Sequence, residues 1–313
     1  TNVLDPVNRA AAIARSTTSY IQDFSCNISG VCLTIVSDTG AEFLISNDWG
    51  DNWKKEKIKL KTVEAIHVNN VEFFRFRNGE AIWMYGTSLI KTPKELNRSD
   101  LPNRLTENGR HSIYTPIILE SKDNGKSWQK LRTPMTLGHI EDIFMASEHS
   151  GWAIFTDGIY KFFNRGGNLE WKRFDANPEM LIDSNRKTIQ FVDAKTGWFT
   201  YVGESDELPS KLYKTLDGGK TWKLVFKFRN EMFPMETGAK YITTIFKNDK
   251  LGFVFLNGKA YRTNNGGNKW YDLKQMICEI PIVDIVESNE NDFYFIDKQA
   301  NIYKQSLPMG IVE

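Results

Sequence analysis

The chain has 313 residues, 41% hydrophobic and 25% charged, the balance of a soluble globular protein with a sizeable core. Lysine plus arginine (40) nearly cancels aspartate plus glutamate (39), leaving a formal net charge of +1. So weak a field does not hold a nucleic-acid backbone, and nucleic acid is set aside as a partner. No run approaches the apolar length of a membrane-crossing helix, so no membrane span is expected. The opening TNVLDPVNRAAAIARS lacks the cationic start and apolar core of a secretory signal. With 9 Trp and 20 Phe the chain leans toward strands, where aromatic side chains suit a half-buried pleated surface.

In chain order the first feature is CNISGVC, in which Cys26 and Cys32 flank a turn-like NISG. A hairpin there would face the two cysteines at disulfide distance, as a bridge or as two buried thiols. A bridge would imply an oxidising compartment, periplasmic or extracellular. Next comes SNDWGDNW (Ser46, Asp48, Gly50, Trp53), followed by the lysine-rich KKEKIKLK, which reads as an outer strand whose lysines discourage edge-to-edge pairing. After an insertion from Thr92 to Ser112 the first pattern returns as SKDNGKSW (Ser121, Asp123, Gly125, Trp128). DIFMASEHSGWAIF and the stretched copy FFNRGGNLEW follow, then TIQFVDAKTGWFTYV and TLDGGKTW (Thr215, Asp217, Gly219, Trp222). TTIFKNDKLGFVFL then precedes TNNGGNKW (Thr263, Asn265, Gly267, Trp270). Cys278, alone in QMICEIPI, reads as a packed core residue, and the chain closes on PIVDIVESNENDFYFIDKQANIYKQSL, with three strands in view.

The recurring pattern is S/T-x-D/N-x-G-x-x-W, each copy between two strand-like segments, so its centre reads as a hairpin turn. Asp or Asn can bond the backbone just ahead of it, Gly can take a positive φ, and the hydroxyl satisfies a further turn group. Trp then enters the next strand and buries a large ring, with a gross gain of about 4–6 kcal/mol. The second element, an apolar strand, a polar turn and Gly-aromatic, supplies two more strands. Four strands per unit make a propeller blade, and Trp128, Trp171, Trp222 and Trp270 recur at about 40–50 residues, a normal propeller period. The expected architecture is all-β: one β-propeller domain over 1–313 with about six four-stranded blades, at roughly 18–60, 65–134, 138–176, 186–228, 241–276 and 281–307. A seventh blade is added if the insertion hides strands. The N-terminal segment is a candidate for the missing outer strand of the last blade.

The turn pattern resembles the Asp-box, or BNR repeat, of the sialidase-like propeller superfamily. The element carried by Phe191, Asp193, Gly197 and Trp198 is similar to propellers of the photosystem II assembly-factor type. The resemblance implies that the boxes lie on the face away from any active site, so their aspartates are scaffold rather than catalytic or metal-binding groups. No metal or cofactor is expected. A sialidase would need an arginine triad, a Tyr–Glu pair and an acid/base Asp; no Arg-containing F-R-I-P-like stretch precedes Ser46.

Functional residues are expected on the opposite face, whose loops are elaborated: 92–112, 175–187, 203–211 and 228–240. Met180, Leu181, Met232, Phe233 and Met235 are the apolar candidates for a protein-binding surface, and Arg98, Arg104 and Arg110 form a charged rim. The leading expectation is a non-catalytic propeller binding another protein, as an antagonist, assembly factor or receptor-like module. An exo-acting sialidase-like glycoside hydrolase and a glycan-binding propeller without cleavage are the alternatives.

Overall fold

A computed structural model describes residues 21–26, 31–36, 42–48, 52–58, 65–76, 79–91, 105–107, 110–134, 139–147, 149–174, 187–203, 209–228, 242–256, 259–276, 282–287, 292–297 and 302–306. Every regular element among them is a strand, and every pairing is antiparallel, between neighbours in the chain except for Gly79–Lys91 with Arg110–Ser121, where a short strand intervenes. The first sheet holds β1 (Ile21–Cys26), β2 (Cys32–Val36), β3 (Glu42–Ser46) and β4 (Lys54–Lys57). In the second, β5 (Ala65–Phe76), β6 (Gly79–Lys91), β8 (Arg110–Ser121) and β9 (Gln129–Leu131) follow one another, and β7 (Leu105–Glu107) adds to β8. Three further sheets have four strands each: β10 (Ile140–Ser147), β11 (Ser150–Phe155), β12 (Gly158–Arg165) and β13 (Asn168–Phe174); β14 (Lys187–Phe191), β15 (Gly197–Tyr201), β16 (Ser210–Thr215) and β17 (Lys223–Phe228); β18 (Ile242–Phe246), β19 (Gly252–Leu256), β20 (Lys259–Thr263) and β21 (Tyr271–Met276). The sixth has three, β22 (Ile282–Glu287), β23 (Asp292–Asp297) and β24 (Ile302–Ser306). The segments thus fall where the repeat places its blades. The N-terminal segment around Asn2 to Asp5, expected to complete the last sheet, lies outside the described residues.

The sheets pack through their first strands, β1 against β5, β10 against β14 and β14 against β18, with the apolar core between the faces of successive sheets. One repeated contact shows how. Trp152 of β11 stacks on Phe191 of the next sheet at 3.6 Å, and its Nε1 donates to the Gly218 carbonyl at 3.3 Å. Trp198 of β15 stacks on Phe246 at 3.7 Å and donates to the Gly266 carbonyl at 3.0 Å. Each indole therefore buries its ring and satisfies its single donor in the box turn of the following blade. The glycine across the strand from each of these Phe residues is set by the same contact: a Cβ on Gly197 or Gly252 would stand 2.5 Å from the ring of Phe191 or Phe246. Two side chains add to the seams by acting on backbone. Gln190 donates to the Phe246 carbonyl and accepts from its N–H, at 2.9 and 2.8 Å, and Asp142 accepts from Ile189 N at 2.7 Å.

Three expectations change in detail. The most deeply buried indoles are Trp83, Trp152 and Trp198, at 0–1% exposure; of the box residues Trp270 is buried, whereas Trp53, Trp128 and Trp222 are half-buried, and all four precede their outer strands rather than sitting inside them. The stretched copy FFNRGGNLEW is no box: Arg165 pairs with Asn168 across Gly166 and Gly167, both at positive φ, as a two-residue hairpin turn. The 92–112 insertion is partly strand, since Lys91 pairs with Ser112 and Glu107 with Arg110. Blade 2 is a long hairpin with an added edge.

Candidate functional site

Two ends of the sheets compete for function. Gly197 pairs with Thr215, and Gly252 with Thr263, so the Gly-aromatic hairpins and the boxes share one end. The connections 175–186, 204–208 and 229–241 leave from the other.

At the box end the sequence puts a hydroxyl two residues before an acid, and the fold closes them into a ring of hydrogen bonds. Thr215 Oγ1 donates to Asp217 Oδ1 at 2.8 Å and accepts from Gly219 N at 2.9 Å. Asp217 in turn accepts from Thr221 N at 2.9 Å and Thr221 Oγ1 at 2.6 Å. Ser121 and Asp123 repeat the set with Gly125 and Ser127. Ser46 and Asp48 do so with Asn52, while Gly50 lies outside the described residues. Gly125, Gly219 and Gly267 hold φ between 80° and 93°, which an L side chain rarely adopts. Thr263 and Asn265 keep the arrangement with a neutral side chain, Lys269 N donating to Asn265 Oδ1 at 2.9 Å. Donors converging on the ionised form hold Asp48, Asp123 and Asp217 at about 2, the largest causes being the bonds from Asn52, Ser127 and Thr221 respectively. Carboxylates so occupied tie turns together. They offer no proton at neutral pH and few free lone pairs. Among the described residues no group of three or more His, Cys, Asp or Glu is placed to hold a metal ion.

The loop end is built from the starts of β10 and β14 and the end of β15. Lys187, which opens β14, reaches Glu141 of β10 at 2.5 Å, with the two side chains 3% and 9% exposed. The adjacent Asp142 accepts from Ile143 N and Ile189 N at 3.0 and 2.7 Å. Directly across from Lys187 stands Tyr201, whose buried hydroxyl has no hydrogen-bond partner. The 204–208 connection is pinned at its base by Gly203 N donating to Ser210 Oγ at 2.9 Å, and Val202, Phe228 and Ile242 bury the roots of two connections in one apolar cluster. In blade 3 the turn at Asp157 accepts from Tyr160 Oη at 2.8 Å, with Arg173 Nη2 on its carbonyl; burial first, then Asp157, pushes the Tyr160 hydroxyl up to about 12. Glycoside cleavage needs a carboxyl pair free to donate and accept protons. Among the described residues of this end, Glu141 is charge-paired, Asp142 is bonded to backbone donors, and Asp157 closes a turn.

Of the residues singled out from the sequence, Arg110 lies on β8 opposite Glu107. Arg98, Arg104, Met180, Leu181, Met232, Phe233 and Met235 lie outside the described residues. Cys32 is disulfide-bonded, and the residue directly across from it is Cys26. The Glu141–Lys187 pair escaped the sequence reading, because a charged residue opening a strand looks like a solvated loop end.

No protein-family model matches the chain. The human protein C-type lectin domain family 1 member B is 26% identical over 118 residues, 36% of this chain and 48% of that protein. The chain thus matches about half the length of that relative, too little to establish a family. Among solved structures, "YCF48 bound to D1 peptide" superposes with a TM-score of 0.56 at 12% identity, covering 94% of this chain and 80% of that one. An α-L-arabinanase of Penicillium chrysogenum complexed with arabinobiose gives 0.55 at 11%, covering 91% and 92%. The Hadza microbial sialidase Hz136 gives 0.54 at 12%, covering 93% and 65%. At such identities what is shared is the fold.

Proposed function

We propose that this chain, whose fold is that of the sialidase-like β-propellers, is a single non-catalytic domain over 1–313 that binds another protein through its loop face. The observation that carries the reading is how two carboxylates described at that end are used: Glu141 pairs with Lys187, and Asp142 accepts from two backbone N–H groups. Connections rooted in a buried cluster of Val202, Phe228 and Ile242, beside described acids engaged in structural bonds, suit display of binding loops more than proton transfer. Support also comes from a similar fold holding a peptide, in YCF48. The contact residues proposed are Met180, Leu181, Met232, Phe233 and Met235, with Arg98, Arg104 and Arg110 orienting the partner. The disulfide on Cys32 favours a periplasmic or extracellular setting.

The test is affinity capture with the full chain beside a variant carrying Met232→Ser, Phe233→Ser and Met235→Ser. A partner bound by the first and lost by the second is the expected result; undiminished capture by the variant removes this surface. In parallel, turnover of any member of a fluorogenic glycoside panel, sialosides and arabinosides included, would replace the reading with the glycosidase alternative. Glycan-array binding without turnover would point to the carbohydrate-binding one.

A further inference from the structure

At its loop end blade 4 carries one row of side chains that crosses all four strands. Lys187 of β14 pairs with Tyr201 of β15, Tyr201 with Lys211 of β16, and Lys211 with Lys227 of β17. Residues directly opposite one another point to the same side of a sheet and stand about 5 Å apart. That side is the one that meets blade 3, since Lys187 reaches Glu141 there and Tyr201 shares an apolar cluster with Ile154 and Ile159. Exposure rises outward along the row: Lys187 and Tyr201 are buried, Lys211 is half-buried and Lys227 is exposed.

Two features of this row are costly to the fold. Like charges directly opposite each other destabilise a sheet, yet Lys211 stands across from Lys227. The Tyr201 hydroxyl, on a residue 1% exposed, has no hydrogen-bond partner among the described residues, a loss unless something else bonds to it. The carboxylates described nearby are used elsewhere. Glu141 and Asp142 sit on the inner strand of blade 3, bonded to Lys187 and to the N–H groups of Ile143 and Ile189. Glu170 and Asp217, the carboxylates of the outer hairpins of blades 3 and 4, belong to the box end, where one pairs with Arg165 and the other closes its box. An ammonium carries three donors, so a lysine that already has one partner can still take a further acceptor.

We propose that this row is a site for a tetrahedral oxyanion, phosphate or sulfate. The ion enters from the outer edge of the blade 3 and 4 seam and accepts from the Lys211 ammonium and from Tyr201 Oη, with Lys227 at the mouth. Lysines act on phosphate as point charges, whereas a planar carboxylate is matched best by the fork of an arginine, and the row holds none. In a seam partly closed to water the attraction is stronger than on an open surface. The site rests on strand register and does not depend on the protein-binding reading of the loop face, which turns on Met232, Phe233 and Met235.

The experiment is equilibrium dialysis of the full chain against radiolabelled inorganic phosphate, with sodium chloride holding the ionic strength constant. Saturable binding of one ion per chain, displaced by sulfate, is expected. The dissociation constant should rise by about tenfold or more in Tyr201→Phe, which removes the hydroxyl alone, and in Lys211→Gln. It should stay unchanged in Lys223→Gln, a lysine of the same strand pair at the box end, and when Met232, Phe233 and Met235 become Ser. Tyr201→Phe keeps the ring, so its circular dichroism should match the wild type. Competition by O-phosphoserine, stronger or weaker than by phosphate itself, assigns the site to an ester or to the free ion. Absence of saturable binding overturns the proposal; a row neutralised by Glu204, Asp206 and Glu207 of the 204–208 connection would give that result. Equal binding by Tyr201→Phe and Lys211→Gln also overturns it, by placing the ion elsewhere.

Discussion

Lys187 and Glu141 form an ion pair out of reach of water. Removing one member of such a pair strands the other charge in a low-dielectric seam, at a cost of about 3–5 kcal/mol, whereas replacing both by apolar residues of similar size is often neutral. Lys187→Met should therefore lower the urea midpoint sharply, and adding Glu141→Leu should restore most of it. If the single and double variants unfold alike, the pair is not the structural stitch described. The box carboxyls give a second prediction at this scale. Held at about 2 in the folded chain against an ordinary 3.8, they contribute stability that is complete above about pH 4 and disappears as pH falls toward 2. Because these groups are exposed, solvent screens much of the effect. Asp217→Asn, which copies Asn265, should flatten the loss of stability between pH 4 and 2 in denaturant titrations.

At the scale of the element, the repeat solves one packing problem in two ways. In blades 4 and 5 a Phe closes the first strand over a Gly in the second, Phe191 opposite Gly197 and Phe246 opposite Gly252. In blade 1 the same two positions are Cys26 and Cys32, and Cys32 faces Ser46, which opens the box. The disulfide on Cys32 thus stands where the ring contact stands elsewhere. A loop so short gains only about 2 kcal/mol from cross-linking, so reduction should lower the melting temperature by a few degrees without unfolding the chain. Cys26→Phe with Cys32→Gly should make stability insensitive to reductant; global unfolding on reduction would show that the bridge carries more than this local role. Blade 2 shows the same adjustment in polar form. Its Trp83 precedes a blade without a box carbonyl to bond, and its Nε1 turns instead to the buried Glu120 at 3.2 Å. At the corresponding place beside Trp152 and Trp198 stand Lys161 and Lys214, each ammonium over the indole face.

For the whole molecule, the near-zero net charge conceals an uneven surface. The sheets carry one end with the long connections and one end with the box turns. Loop-face substitutions such as Met232→Ser and box substitutions such as Asp217→Asn lie at opposite ends of the sheets, so their effects on stability should be additive. Coupling above about 0.5 kcal/mol in a double-mutant cycle would show that the two ends do not act independently.

The sequence by itself determined the blades. Hairpin turns are local, and S/T-x-D/N-x-G-x-x-W places donor, acceptor and positive-φ glycine within a few residues, so the fold is legible wherever Ser121, Asp123 and Gly125 or their equivalents occur. It also showed which connections are long. What joins residues far apart in the chain was decided only in the tertiary structure: Trp152 over Phe191, Lys187 on Glu141, and Gln190 on the backbone of Phe246. Such contacts depend on how two sheets face each other, and a residue pattern records its own strand's period but not the side chains of the strand it will meet.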